Sequence, residues 1–197
     1  MAKALEIIQQ EHRRLSAVLH CLENVIRDID ARGTAPDFTL LHSMIHYICA
    51  FLFRFHHPKE DFYLFDALRR RHSDAIPLLE QLAQEHKRGD ELIEECRQAL
   101  LIYEREGDGA FESFRRAVDA YLSLETTHMM VEEREIIPQA REFLTEEDWA
   151  EADAAFLDNE DPLFGEKPTK EFQRLFVKIS DLAPLPHECE VLENTNG

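Results

Sequence analysis

Glycine is scarce. Its six positions, Gly33, Gly89, Gly107, Gly109, Gly165 and Gly197, form no G-x-G-x-x-G or P-loop pattern. The chain therefore lacks the backbone cradle on which dinucleotides and nucleoside triphosphates rest. Cysteine is also sparse: Cys21, Cys49, Cys96 and Cys189 are widely separated with no C-x-x-C pair, which reads as reduced, buried thiols rather than a disulfide framework. Positive charge is in deficit, with 22 Lys and Arg against 40 Asp and Glu, a net charge of −18. Such a polyanion repels phosphate backbones and anionic lipid, so neither nucleic acid nor a membrane surface is expected as a partner, whereas cations are favoured. No apolar run approaches the roughly 20 residues of a membrane span. The longest, around Tyr47 to Phe53, is cut by His46 and Arg54. Glu6 and Glu11 fall where a secretory leader keeps its apolar stretch, and a cytoplasmic location is the expectation.

What remains is helical. Apolar residues recur at helical spacing and strand-like alternation is missing, which predicts an all-α chain. The first helix is expected from about Ala4 to Ala31, with Leu5, Ile8, Leu15, Leu19, Leu22 and Ile26 inward, ended by Gly33 to Pro36. Asp37 caps a second helix running to about Arg71, where the Arg69 to Arg71 cations suit the helix dipole. Ser73 or Asp74 caps a third, with Pro77 in its first turn, and a fourth runs from Ala110 to Phe143 after Gly107-Asp-Gly109. Connections this short make neighbours antiparallel, giving an up-down-up-down four-helix bundle over residues 1–144. Residues 145–197 are expected to be a helical extension packed on it. Thr145 to Asp148 starts a short fifth helix, and Phe172, Leu175, Phe176 and Ile179 stripe a C-terminal amphipathic helix before a tail containing Pro184 and Pro186. No internal repeat is evident.

Ten histidines are a high share for 197 residues, and each long helix carries at least one. The set is Glu11-His12, His56-His57-Pro58-Lys59-Glu60, Glu85-His86 and His128 with Glu132 four residues on. Spacing of i,i+4 puts imidazole and carboxylate on one helix face. Measured along their helices, His12, His57, His86 and His128 each lie about 18–20 residues, or roughly 27–30 Å, from the same end of the bundle. They share one layer. A layer of imidazoles and glutamates inside a bundle is costly unless it holds metal, and this donor set suits iron, manganese or zinc. Glu60 and Glu132 are the natural bridging pair, with His12, His56, His86 and His128 as terminal ligands. Pro58 and Pro138 remove amide donors and free the carbonyls of Arg54 and Arg134, so kinks are expected beside both His–Glu pairs. His20, His42, His46, His72 and His187 fall outside the layer. Glu11, Glu85, Glu125, Glu133 and Glu135 are expected in solvated or supporting positions. Tyr121 faces the same side as His128, and packing is its expected role over a hydrogen bond to a bound ligand.

With these motifs, F-H-H-P-K-E-D followed by L-F (Phe55 to Phe65) and H-M-M-V-E-E-R-E-I-I-P (His128 to Pro138), the stretch from Glu11 to Pro138 resembles the hemerythrin-like, HHE cation-binding family. The resemblance implies a non-haem di-iron centre, oxo- and carboxylate-bridged, that binds dioxygen, nitric oxide, peroxide or azide-like anions. Carried over by position, its ligands are His12, His56, Glu60, His86, His128 and Glu132. One departure stands out. Oxygen-carrying members place two histidines four apart on the third helix, but Asp90 stands four after His86 and Leu82 four before it. His57, Asp90 or solvent can replace the missing nitrogen. Fewer histidines favour peroxide or nitric oxide chemistry, in oxidative or nitrosative stress, over reversible oxygen carriage. A non-enzymatic iron or oxygen sensor, or an iron-handling protein whose fold responds to metal, is the alternative. A helical interaction module without metal would leave the shared layer unexplained.

Overall fold

The computed structural model describes residues 2–157 together with Leu163, Leu175 and Val177. Four long helices account for most of this: α1 (Lys3–Arg32), α2 (Phe38–Arg71), α3 (Ile76–Glu106) and α4 (residues 111–143). A shorter α5 (Glu146–Leu157) follows, and no strand occurs among the described residues. Helix α1 packs against α2 and α4, and α3 against the same two, which closes a four-membered ring. The His42 imidazole near the start of α2 lies 2.8 Å from Glu104 near the end of α3, as antiparallel neighbours require. The all-α, up-down-up-down bundle is the observed architecture.

Local chemistry sets the helix ends. Gly33 adopts φ +60°, and the amides of Gly33 and Thr34 close onto the carbonyls of Ile29 and Asp28, the left-handed cap that glycine permits without a Cβ clash. Asp37 accepts from the Leu40 amide at 3.0 Å, as its N-cap reading requires. At α3 neither Ser73 nor Asp74 caps the helix by its side chain. A 3₁₀ turn, Ser73–Ala75, leads into it and Pro77 occupies the first turn, where an amide donor is not needed. At α5 the Thr145 hydroxyl accepts from the Asp148 amide (3.3 Å) while Asp148 accepts from the Thr145 amide (3.0 Å), a reciprocal cap. Arg71, at the end of α2, donates to the same carboxylate at 2.7 Å and ties α5 to the bundle. Asp153 of α5 in turn accepts from the otherwise free Ala4 amide of α1 at 2.7 Å.

The core is split in two. A large apolar cluster runs from Leu15 to Ile29 on α1, Leu40 to Leu52 on α2, Leu92 to Tyr103 on α3 and Phe114 to Tyr121 on α4. A smaller one gathers Leu5 and Ile8, Leu64 to Leu68, Leu79 and Leu82, Ile136 to Ala140, and Phe156 of α5. Between them lies the histidine layer. Most of the C-terminal stripe, Phe172, Phe176 and Ile179, and the tail with Pro184 and Pro186 fall outside the described residues. Leu175 and Leu163 are buried with the larger cluster.

Two helices are deformed where they enter that layer. Helix α2 widens into π-turns at Leu52–His56 and Glu60–Phe65, and α4 does so at Glu132–Ile136. The His57 amide reaches back five residues to Leu52, Asp66 to Asp61, and Ile137 to Glu132. Pro58 and Pro138 each stand two residues beyond a π-turn, so the expected proline kinks take the form of wide turns. An inserted residue re-phases the side chains beyond it. By length and composition α2 also qualifies as a membrane span, with mean hydropathy 1.3 over its most apolar window, which corrects the expectation that no segment reaches that threshold. Here its inward face carries His56, His57 and Glu60, all buried.

Phe51 and Phe65 seal the layer from the two cores. Each is fully buried, Phe51 with its ring 5.6 Å from His56 and Phe65 with its ring 5.6 Å from His86, both nearly parallel. Removing such a side chain leaves a cavity. Phe51→Ala is expected to cost about 3–5 kcal/mol by denaturant unfolding, and a loss below about 1 kcal/mol would show that this contact does not hold the layer.

Candidate metal centre

Helix α1 supplies His12, α2 His56, His57 and Glu60, α3 His86, and α4 His128 and Glu132; all are buried. Their donor atoms fall into two four-residue groups, each within 4.8 Å: His12, His56, Glu60 and Glu132, and then Glu60, His86, His128 and Glu132. Both groups contain Glu60 and Glu132. The sharing is atom by atom. Glu60 turns Oε1 toward His12 and His56 (3.6 and 3.4 Å) and Oε2 toward His86 (3.7 Å). Glu132 turns Oε2 toward His12 (3.4 Å) and Oε1 toward His128 and His86 (3.3 and 3.9 Å). Each carboxylate thus gives one oxygen to each half.

The free donors converge. No oxygen of Glu60 or Glu132 has a hydrogen-bond partner among the described residues, nor do Nε2 of His86 and His128. His12 and His56 bring their Nε2 atoms to 3.1 Å of one another. Two donors about 2.1 Å from one ion at right angles stand about 3 Å apart, so this spacing fits ligands of a common cation. Buried polar atoms are normally paired, and six orphans aimed at one volume suit a metal pair.

On its outer edge each imidazole is held by a carboxylate from a neighbouring helix. Glu11 lies 2.8 Å from Nδ1 of His56, Asp61 3.2 Å from Nδ1 of His86, Glu85 3.0 Å from that of His128, and Glu133 3.0 Å from that of His12. The contacts run α1 to α2, α2 to α3, α3 to α4 and α4 to α1, a closed ring. A proton held on each Nδ1 leaves Nε2 free to face the centre, the arrangement by which outer carboxylates orient ligating histidines and raise their basicity. The ring is built from adjacent residues, because neighbours on a helix point about 100° apart. Glu11 precedes His12, Glu85 precedes His86, Asp61 follows Glu60 and Glu133 follows Glu132. The motif therefore occurs twice, E-H on α1 and α3 and H-x-x-x-E-[D/E] on α2 and α4, a two-fold internal repeat of site positions.

Of the two further donors expected, the structure brings in one. His57 groups with His86 and His128, stacks on His86 with ring centroids 3.9 Å apart, and has no partner for Nε2. Asp90 is exposed and belongs to neither group. Asp61 was absent from the expected set, although its place after Glu60 matches that of Glu133 after Glu132. Glu11, Glu85 and Glu133 support histidines, Glu135 is exposed, and Glu125 is buried. His20, His42 and His72 lie elsewhere, beside Glu23, Glu104 and Phe143 respectively.

Protons and cations compete here. Burial opposes charge on every imidazole, yet carboxylates outweigh it at three. His12 is raised by Glu132, Glu133 and Glu60, His86 is raised to about 10 by Asp61 and Glu132, and His128 to about 9 by Glu132. Burial wins at His56, lowered to about 4, and at His57, where the neighbouring imidazoles push the same way. Glu132 is held far below the carboxylate range despite its burial, by His128, His12 and His86. Burial raises Glu125 to about 7. Stability from His86 and His128 is complete below their unfolded value of about 6.5 and is lost as pH climbs to about 9–10. That linked to His56 is complete above 6.5 and is lost as pH falls toward 4. Chelated protein is therefore expected to melt highest near neutral pH and to lose stability on both sides. Divalent metal should remove the alkaline loss, as followed by calorimetry across pH 5–10. A chelated protein whose stability rises from pH 7 to 10 would contradict these assignments.

The hemerythrin HHE cation-binding domain model matches residues 3–140, a span that contains every residue of the two donor groups and of the outer carboxylate ring. No curated protein and no solved structure matches the chain. The match covers most of the bundle and most of the sequence, and with it the chain belongs to the hemerythrin HHE cation-binding family.

Proposed function

We propose that the protein is a non-haem di-iron protein that binds or turns over a small diatomic or peroxide, in the cytoplasm and in response to oxidative or nitrosative stress. The observation that supports this reading is the sharing of Glu60 and Glu132 between two donor groups, one oxygen to each. In this reading both carboxylates bridge two irons. His12 and His56 serve one ion, and His86 and His128 the other, with His57 as the third nitrogen on that side. The mixed imidazole and carboxylate set suits iron, and no cysteine enters either group. Bound iron supplies the redox and ligand-binding chemistry.

The chain's own contribution is positional. The outer carboxylates fix the imidazole tautomers, while Phe51 and Phe65 wall the site with apolar surface. His57 takes the place of the second third-helix histidine of oxygen carriers but reaches the site from α2, stacked on His86. Protein reconstituted with ferrous iron and then exposed to air is expected to show charge-transfer bands in the near-ultraviolet and visible that shift on adding azide. It is also expected to consume peroxide or nitric oxide. Iron-loaded protein whose spectrum ignores azide and which leaves both substrates unchanged would overturn the reading.

A further inference from the structure

One side of the site holds polar groups that the donor set does not use. Glu125 lies one turn before His128 on the same face of α4, is 2 % exposed, and has no partner for Oε1 among the described residues. Its other oxygen lies 3.7 Å from where a Cβ would stand on Gly89, one turn after His86 on α3. The absence of a side chain there leaves the carboxyl room between α3 and α4. Four residues earlier, Tyr121 is fully buried with its hydroxyl also unpaired. The surroundings are otherwise the apolar floor made by the larger core cluster.

Glu125 belongs to neither donor group, so it is near the centre without being one of its bridging or terminal ligands. It is close enough to feel His128 and Glu132 of its own helix, His86 of α3 and His12 of α1. A buried carboxyl without a partner costs about as much as a lost hydrogen bond or more. Carboxyls persist in such places where something else completes the bond. The nearest volume that receives an exogenous molecule is the His86–His128 half of the site, which Glu125 adjoins.

We propose that Glu125 selects the ligand of this centre, hydrogen-bonding a small anionic or protic molecule, of the hydroperoxide or azide class, seated beside His86 and His128. This rests on the di-iron reading and narrows it, because nitric oxide is a weak hydrogen-bond acceptor and gains little from such a group. Tyr121 continues the polar file behind the carboxyl.

The test uses the full-length iron-loaded protein with azide as probe. Metal content is measured first, then azide affinity from the visible spectrum and the infrared stretch of bound azide, for the parent, Glu125→Leu and Glu125→Gln. Leu is expected to keep the parent's metal content, weaken azide by about tenfold or more and shift the infrared band. Gln, which still donates, is expected to bind azide within about threefold of the parent, and nitric oxide affinity should be alike in all three. Unchanged azide affinity and band position in the Leu protein would overturn the proposal, as would loss of metal from the Gln protein, which would make Glu125 part of the metal-holding framework. A parent that carries the metal but binds no azide overturns this proposal alone. A parent that takes up no iron overturns the di-iron reading and this one with it.

Discussion

Two carboxylates on the axis of a helix bundle, surrounded by imidazoles and closed off from water, are what the rest of this structure is arranged around. Glu60 and Glu132 are buried, and neither makes a hydrogen bond of its own among the described residues. Ionised groups in such a place require cations nearby. Protonated imidazoles can serve, and the raised His12, His86 and His128 show the site doing so. Metal ions serve better, because they satisfy imidazole and carboxylate lone pairs together. The apolar core is divided to make room: each long helix is hydrophobic on either side of one polar turn. The π-turns fall on the two helices that carry the carboxylates, where a regular helix is interrupted.

The outer ring shows how little sequence such a centre needs. Each helix spends two adjacent positions: one residue points at the axis and the next orients the neighbouring helix's histidine. Four helices treated this way give a closed circuit of Glu11, Asp61, Glu85 and Glu133. Each contact links two helices, so the ring positions the ligands and also cross-braces the bundle across the break in its core. Glu125, Tyr121 and His57 stand outside this two-fold pattern, all with unpaired polar atoms. They make the His86–His128 half chemically different from the other, and that asymmetry gives an exogenous molecule a preferred side.

Much of this was legible in the residues. Helical spacing, capping at Asp37 and Thr145, and short connections gave the bundle, because each is a local effect that tertiary packing reinforces. The shared depth of the four histidines gave the layer, since a helix converts residue number into distance. The start of α3 was misread because Ser73 and Asp74 are good capping residues, but a 3₁₀ turn and Pro77 satisfy the chain there instead. The widened turns were seen only as proline kinks, since a π-turn has no sequence signature comparable to that of its proline. Asp61 went unnoticed because its role exists only across helices, although the repeated acidic residue after Glu60 and Glu132 was a readable sign. The choice between His57 and Asp90 depended on the phase of α2 and α3 around the axis, which the wide turns alter and residue spacing alone does not fix.

Counting the metal ions per chain in the parent protein and in Glu60→Ala tests the shared-carboxylate centre most directly. Reconstitution with ferrous iron under reducing conditions, followed by removal of loosely held metal, should leave a pair of ions in the parent. The variant lacks one oxygen donor on each side and should retain one ion or none, with its helical content preserved. A Glu60→Ala protein that still holds the pair, or a folded parent that holds no metal, would contradict the central claim.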